Sequence, residues 1–222
     1  MLIIISVFAG AFSSYLSRVE PYRQQDLALQ RLSNKRLPNG IRSIATGRAD
    51  SRFFITGSAV IRCTIPTDRF ERLAVEAILG KNKHMRIHHL SLRTNVQSEE
   101  ISSLIQRMPF LQKLAFDRGR QIPQDVIREI ARHDLLALNI ADCGLTDSDV
   151  KELCKSETIE HLCLNENQIT DDTIEHFEQM KNLKKLEIWW TNISKEGVER
   201  FRKNRPDCEV FCLNGGTPRQ KR

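Results

Sequence analysis

The chain has 222 residues, of which 40% are hydrophobic and 28% charged, so a packed core can form and wholesale disorder is excluded. Its formal net charge of +6 is too mild to indicate nucleic-acid or anionic-lipid binding by itself. The six cysteines form no CxxC pair and no zinc-finger spacing, so most are predicted to be small apolar residues, with disulfides as the alternative: Cys63, Cys143, Cys154, Cys163, Cys208 and Cys212.

The amino end, residues 2–16, has no charged side chain and is followed by Arg18 and Arg23. A bilayer-spanning helix needs about 20 apolar residues, so this segment is short for one. No basic region precedes it, as one would in a secretory signal. We favour a membrane anchor over residues 1–17; a signal-like segment and a buried core helix are the alternatives.

Residues 18–50 are predicted to form a basic juxtamembrane helix followed by a linker. Leucines among polar neighbours at residues 24–32 are typical of an amphipathic helix, and Pro38 with two glycines is typical of a linker. Basic residues beside a membrane segment favour the cytoplasmic side and contact with anionic lipid. We therefore expect a membrane protein, single-pass or anchored, with the rest of the chain in the cytoplasm.

Residues 51–86 are predicted to contain a strand at residues 59–66 and a helix at residues 70–79 that ends at Gly80. They directly precede a series of repeats, and a stack of repeats needs a cap on the open end of its core. We interpret them as that amino-terminal cap; a separate small domain is the alternative.

A pattern of apolar-x-x-apolar-x-apolar recurs from residue 87 with its starts 24 residues apart, at Ile87, Leu111, Leu135, Ile159 and Leu183. Five registers without an insertion indicate a solenoid. Positions one, four and six of each unit are expected to face a shared core from a short strand. A further half-unit at Val210 and Cys212 is predicted to close the array, with the repeats and carboxyl cap over residues 87–214 and a disordered basic tail at residues 215–222.

A helix is predicted after the strand in three of the units. Thr146, Thr170 and Ser194 stand where a helix cap is expected, and a three-residue apolar step follows each of them. The acidic pairs after the first two caps are explained by the positive end of the helix dipole, so we do not interpret them as catalytic: Asp147 with Asp149, and Asp171 with Asp172.

The ninth position of each unit marks a sharp turn inside the stack. Side chains there can hydrogen-bond the backbone of neighbouring turns, which buried backbone groups require. We predict a structural ladder of Asn95, Cys143, Asn167 and Thr191. Gly119 supplies no side chain, so the second unit is expected to be irregular.

The form LxxLxLxxNxI at this spacing, with ITD at the helix start, resembles the leucine-rich-repeat family, and ITDD resembles its ribonuclease-inhibitor-like and cysteine-containing types. Together with the amino end, the chain is also similar to membrane-anchored repeat proteins of planctomycete bacteria. The resemblance covers residues 87 to about 212 and departs from the pattern at Gly119 and Pro123. It implies an α/β solenoid of about five units, a short right-handed horseshoe with a parallel sheet on its concave side, which binds protein and has no shared catalytic residues.

Positions three, five, seven and eight of each unit are expected to be exposed on the concave face. Trp189 and Trp190 are adjacent there, and exposed tryptophan is a common energetic anchor at interfaces; the alternative is that one of them covers the open end of the core. The predicted partner-binding residues are Trp189, Trp190, Lys185, Glu187, His161, Asn165, Arg93 and Asp117.

No nucleophile motif, phosphate-binding loop or metal-ligand spacing is present, so we predict no enzyme, no metal and no cofactor. The expected function is a membrane-anchored protein–protein interaction module. The mixed charge of the face argues against nucleic acid. A structural subunit of a membrane complex, and binding of anionic lipid or nucleic acid by the basic linker, are the alternatives.

Overall fold

The structure, a computed structural model, describes residues 17–27, 42–44, 51–55, 59–64, 86–92, 98–117, 119 and 121–212. The chain divides into two compact units: Met1–His89 with Arg107–Phe110, and Leu90–Gln106 with Leu111–Arg222. The division falls within strand β4, Arg86–Leu92, rather than at the predicted boundary before residue 87.

Several predicted features lie outside the described residues. These are the proposed anchor at residues 2–16, the helix at residues 70–79, Arg93, Asn95 and the tail at residues 215–222. Within the part of the chain that the structure describes, no helix has the length and apolar character needed to cross a membrane.

The first unit contains helix α1, residues 17–27, and an antiparallel meander of β1 (Arg42–Ile44), β2 (Ser51–Ile55) and β3 (Ala59–Thr64). Strand β1 lies inside the stretch that the sequence predicts to be a linker, so the linker prediction is wrong for residues 42–44. A three-residue strand is too short to show an alternating pattern of its own, and it becomes recognisable only through its pairing with β2.

Helix α1 packs inside the first unit through one apolar face. Tyr22 and Val19 are buried, and the Tyr22 ring centroid is 4.9 Å from that of Phe110. Arg107 Nη1 donates to Gln24 Oε1 at 2.8 Å. His88 Nδ1 lies 3.0 Å from the carbonyl oxygen of Phe110. The Tyr22–Phe110 packing and the Arg107–Gln24 hydrogen bond together hold the helix in its unit.

The second unit alternates helices and short strands. In order these are α2 (Ser98–Gln106), β5 (Lys113–Phe116), α3 (Gln124–Arg132), β6 (Ala137–Asn139), α4 (Asp147–Leu153), β7 (His161–Cys163), a 3-10 turn (Asp171–Thr173) continuing into α5 (Ile174–Gln179), β8 (Lys185–Glu187), α6 (Lys195–Asn204) and β9 (Glu209–Phe211). Strands β5 to β9 pair in sequence order, and every pair is parallel. The α/β repeat fold predicted from the sequence is confirmed.

The register of the sheet reproduces the 24-residue period. Leu138 pairs with Leu162, and Leu162 pairs with Leu186. All three leucines are buried, because the fourth position of each repeat points toward the helices. Burying one such side chain stabilises the fold by about 1.5–3 kcal/mol. The helices contribute a second column, in which Phe177 and Phe201 meet edge to face with centroids 6.3 Å apart.

Asn167 lies buried at a turn and bonds across two repeats. Its Oδ1 accepts from Cys143 N and Leu145 N, both at 3.0 Å. Its Nδ2 donates to Ile140 O at 2.8 Å and to Leu164 O at 2.9 Å. One amide therefore satisfies backbone groups of the preceding turn and of its own turn.

Cys143 and Thr191 occupy the same ladder position in the two neighbouring repeats. Cys143 is buried, and its Sγ donates to Ala141 O at 3.3 Å. Thr191 is buried and donates only within its own turn, to Ile188 O at 3.1 Å. Gly119 adopts a left-handed φ of +76°, which suits a residue without Cβ.

Arg205 connects the last helix to the repeat before it. Its Nη1 donates to Met180 O at 2.8 Å, and its Nη2 donates to Leu183 O at 3.0 Å and to Asp207 Oδ2 at 2.8 Å. Carbonyl groups beyond the end of helix α5 have no helical N–H group to bind. The Arg205 guanidinium donates hydrogen bonds to them instead. The contact with Arg205 also holds the pKa of Asp207 below its usual range.

Candidate protein-binding surface

The outer sheet face is the side of β5 to β9 that carries positions three and five of each repeat. Of the predicted partner-binding residues, His161 and Asp117 are exposed, while Lys185, Glu187 and Asn165 are half-buried. The predicted partner-binding residues of the last two repeats lie side by side on the sheet. Strand β7 pairs with β8, and His161 lies opposite Lys185.

Lys185 and Glu187 bind each other on this face. Lys185 Nζ lies 2.6 Å from Glu187 Oε1 and 4.7 Å from the ring centroid of Phe211. The hydrogen bond to Glu187 raises the pKa of Lys185 above its ordinary value, so the ammonium stays charged. Two side chains predicted to contact a partner are therefore already engaged with their neighbours.

Phe211 belongs to this surface although it was absent from the predicted residues. It lies on β9 opposite Glu187 and is half-buried. Phe211 occupies the fifth position of the half-unit predicted from Val210 and Cys212, so the rule for exposed positions would have found it if it had been applied to that half-unit. It adds a third large ring to the carboxyl end of the sheet.

Trp189 and Trp190 follow β8, and both are half-buried. Their ring centroids lie 6.1 Å apart with an interplanar angle of 53°. Trp189 N donates to Asn165 Oδ1 at 2.7 Å. Asn165 therefore positions the backbone of the tryptophan pair, a role that the sequence did not suggest for it.

The turns after the strands stack in the same order as the strands. Asp142, Glu166 and Trp190 occupy the eighth position of three successive repeats, with φ of 50°, 62° and 55°. Asp142 N donates to Asn165 O at 2.7 Å, and Glu166 N donates to Trp189 O at 2.8 Å. The three residues therefore share a left-handed φ in turns that backbone hydrogen bonds connect. We name these three residues the turn row.

The described residues show which chemical groups this surface presents. Among the described residues, no group of three His, Cys, Asp or Glu side chains could hold a metal ion. Away from this surface, at the carboxyl end of α4, burial raises the pKa of the Cys154 thiol to about 12. The outer sheet face and turn row can contribute aromatic area, hydrogen bonds and fixed charge to a contact.

Comparison with known proteins identifies part of the repeat region. Residues 133–154, which run from the end of α3 through β6 to α4, match the family described as Leucine Rich repeat. No curated protein matches the chain.

Solved structures that are similar to this chain include the following three examples. Actin-binding site 2 of leiomodin-1 is 12% identical, with a TM-score of 0.35 over 43% of this chain and 68% of that one. A leucine-rich-repeat protein from Leptospira interrogans is 27% identical, with a TM-score of 0.33 over 53% of this chain and 28% of that one. A protein from Bacteroides fragilis is 12% identical, with a TM-score of 0.27 over 78% of this chain and 95% of that one. The family match at residues 133–154 supports the leucine-rich-repeat family that the sequence pattern resembles.

Proposed function

We propose that this chain is a module that recognises another protein through the outer sheet face and turn row of its last repeats. The observation that carries the proposal is the tryptophan pair, Trp189 and Trp190, held 6.1 Å apart at the surface. Phe211 lies on the adjoining strand, and all three rings are half-buried. Large aromatic side chains at the surface dominate the energetics of protein interfaces, because they bury much area at little entropy cost.

The aromatic residues are fixed in place before any partner arrives. Asn165 Oδ1 accepts from the backbone of Trp189, and Phe211 is paired in the sheet against Glu187. A rigid surface loses little conformational entropy on binding, so more of the contact energy appears as affinity. This favours recognition through a preformed surface over a loop that must first become ordered.

The experiment is affinity capture from native lysate with the full chain as bait. The test variant combines Trp189→Ala with Trp190→Ala. The matched control is Leu136→Ala, which removes an exposed apolar side chain at the amino end of another strand. We expect at least one protein to be retained by the parent and by the control and to be lost by the test variant, with circular dichroism showing that all three fold. Equal retention by all three baits would refute the proposal.

We further propose that residues 2–16 anchor the chain in a membrane, with the repeats in the cytoplasm and of the ribonuclease-inhibitor-like or cysteine-containing type. The support is the uncharged run followed by Arg18 and Arg23. The test is carbonate washing of membranes from cells that express the full chain, with a chain starting at residue 17 as the control. The full chain is expected in the pellet and the shortened chain in the wash; full-length chain in the wash would contradict anchoring.

A further inference from the structure

We propose that the tryptophan pair receives a proline-rich segment of the partner protein, bound as an extended polyproline helix. The proposal rests on the proposed function, because it specifies the chemistry of the partner for the same surface. It follows from hydrogen-bond donors that are free beside the rings, from backbone acceptors that are already occupied, and from the spacing of the two rings.

Two side-chain donors are free at the tryptophan pair. Asn165 Oδ1 accepts from Trp189 N at 2.7 Å, and because a backbone N–H can only donate, this contact fixes which end of the amide is oxygen. The Asn165 Nδ2 group and the Trp189 indole N–H have no hydrogen-bond partner among the described residues, and neither nitrogen is buried. Both groups can therefore donate to a ligand.

The backbone acceptors in the same turns are occupied. Asn165 O accepts from Asp142 N at 2.7 Å, and Trp189 O accepts from Glu166 N at 2.8 Å. An ordinary peptide brings one N–H for every carbonyl, and an N–H that loses water without gaining an acceptor weakens binding. These turns therefore favour a ligand that supplies carbonyl groups and few N–H groups.

A proline-rich segment has this hydrogen-bonding character. Proline retains its carbonyl but has no N–H, and a polyproline helix forms no internal hydrogen bonds, so its carbonyls stay available. The helix rises about 3.1 Å per residue, so prolines two positions apart are separated by about 6.2 Å. The ring centroids of Trp189 and Trp190 lie 6.1 Å apart. Proline-rich segments bind aromatic-lined surfaces in this stiff conformation, which loses little entropy.

The charged side chains of β8 create no need for a charged ligand. Lys185 Nζ lies 2.6 Å from Glu187 Oε1 and 4.7 Å from the Phe211 ring centroid. The ion pair is therefore closed within the sheet, and the ammonium lies over the Phe211 ring. An uncharged segment can reach the tryptophans without separating this pair.

The test uses the full chain and two capped, uncharged peptides. One is decaproline, and the other is a peptide of the same length that alternates glycine with serine. Binding is followed by tryptophan fluorescence, since both tryptophans of the chain lie in the proposed site. Decaproline is expected to change the fluorescence saturably, and the glycine–serine peptide is expected to leave it unchanged. Equal effects of the two peptides, or no effect of decaproline, would overturn the proposal.

Two variants test the donors. Asn165→Asp keeps an oxygen that accepts from Trp189 N but removes Nδ2, and Trp189→Phe keeps an aromatic ring but removes the indole N–H. Each is expected to raise the Kd for decaproline about fivefold, the effect of losing one hydrogen bond of ordinary net strength. An unchanged Kd in the two variants would overturn the proposal.

The matched control is Gln179→Glu, which makes the same change from amide to carboxylate at an exposed position of α5. It is expected to change the Kd for decaproline less than about twofold, because an exposed charge on the helix has little effect on an uncharged ligand at the sheet. Circular dichroism confirms that all the variants fold. A rise in Kd equal to that of Asn165→Asp would show that the added charge, and not the lost donor, weakens binding, which would also contradict the proposal.

Lysate capture in the presence of excess decaproline separates this inference from the function on which it rests. The expected result is a protein that the parent retains, that the Trp189→Ala, Trp190→Ala variant loses and that decaproline displaces. Loss with this variant without displacement by decaproline would leave the recognition function intact and exclude a proline-rich partner segment. Retention of the same proteins by the variant would instead refute the function itself.

Discussion

Asp147 of one repeat binds Thr170 of the next with both of its carboxylate oxygens. Oδ1 accepts from Thr170 N and Oδ2 accepts from Thr170 Oγ1, each at 2.7 Å. One repeat later, Asp171 accepts in the same way from Ser194 N at 2.7 Å and from Ser194 Oγ at 2.6 Å. Because each repeat of a solenoid contacts only its neighbours, such contacts contribute directly to the stability of the stack.

Asp171→Ala is predicted to destabilise the protein more than Asp172→Ala. The first substitution removes two charge-assisted hydrogen bonds to Ser194, at a cost of about 1.5–3 kcal/mol each in well-formed cases and less at this half-buried site. Asp172 is exposed, and its loss removes chiefly a helix-dipole contribution of about 0.3–1 kcal/mol. Urea unfolding of the two variants measures the difference. Equal losses of unfolding free energy in the two variants would show that Asp171 contributes only through the helix dipole, as Asp172 does.

The effect of Gly197→Ala on the free energy of unfolding is predicted to change sign when residue 171 is changed. A Cβ at Gly197 would overlap the carboxylate of Asp171, so alanine should destabilise the parent protein. In an Asp171→Ala background the overlap disappears, and alanine should stabilise the helix by about 0.5–1 kcal/mol relative to glycine. A double-mutant cycle by urea unfolding tests the coupling. Additive effects would exclude a steric reason for glycine at this position.

The 24-residue period was sufficient to predict the core, because burial of Leu138, Leu162 and Leu186 follows from one repeated pattern. It was insufficient for the contacts of Asp147 and Asp171. The helix dipole explains an acidic residue in the first turn from the properties of that helix alone. The observed hydrogen bonds of Asp147 and Asp171 depend instead on how the next repeat stacks against the first. The sequence predicted both tryptophans on the sheet face, where they are half-buried, but it did not predict the left-handed backbone of Trp190.

Asn167→Ala is predicted to be among the most destabilising single substitutions in the repeats. It would leave the N–H groups of Cys143 and Leu145 and the carbonyl of Ile140 without their side-chain partner in a buried turn. Each such group costs about 1–3 kcal/mol, so a total loss of about 3 kcal/mol or more is expected. Gln168→Ala, at the exposed neighbouring position, is the control and should change the unfolding free energy by less than about 0.5 kcal/mol.

Cys154 is predicted to make the protein less stable in alkali. Burial raises the pKa of this thiol to about 12 from an ordinary value of 9.0. Below pH 9 both states hold the proton; above it the unfolded state ionises while the folded state does not, so stability falls as pH rises toward 12. The expected loss is about 1 kcal/mol between pH 8 and pH 10. Burial raises the pKa of Cys208 in the same direction, to about 11.

Urea unfolding at the two pH values compares the parent with Cys154→Ala. The variant should lose less stability than the parent over this interval, because its remaining pH dependence comes from other groups. An identical loss in both proteins would show that the Cys154 thiol titrates alike in the folded and unfolded states.

Trp190 occupies a left-handed conformation that is costly for a bulky residue, so its ring and its backbone should have separable effects. Trp190→Gly and Trp190→Ala both remove the ring, but glycine adopts positive φ freely and should leave the protein more stable than alanine does by about 1 kcal/mol. Trp189 is not among the described residues with positive φ, so Trp189→Ala should be more stable than Trp189→Gly. Urea unfolding measures stability, and affinity capture from native lysate measures binding. If Trp190→Gly and Trp190→Ala lose binding equally although they differ in stability, the contribution of Trp190 to binding comes from its ring. It does not come from the conformation of the turn.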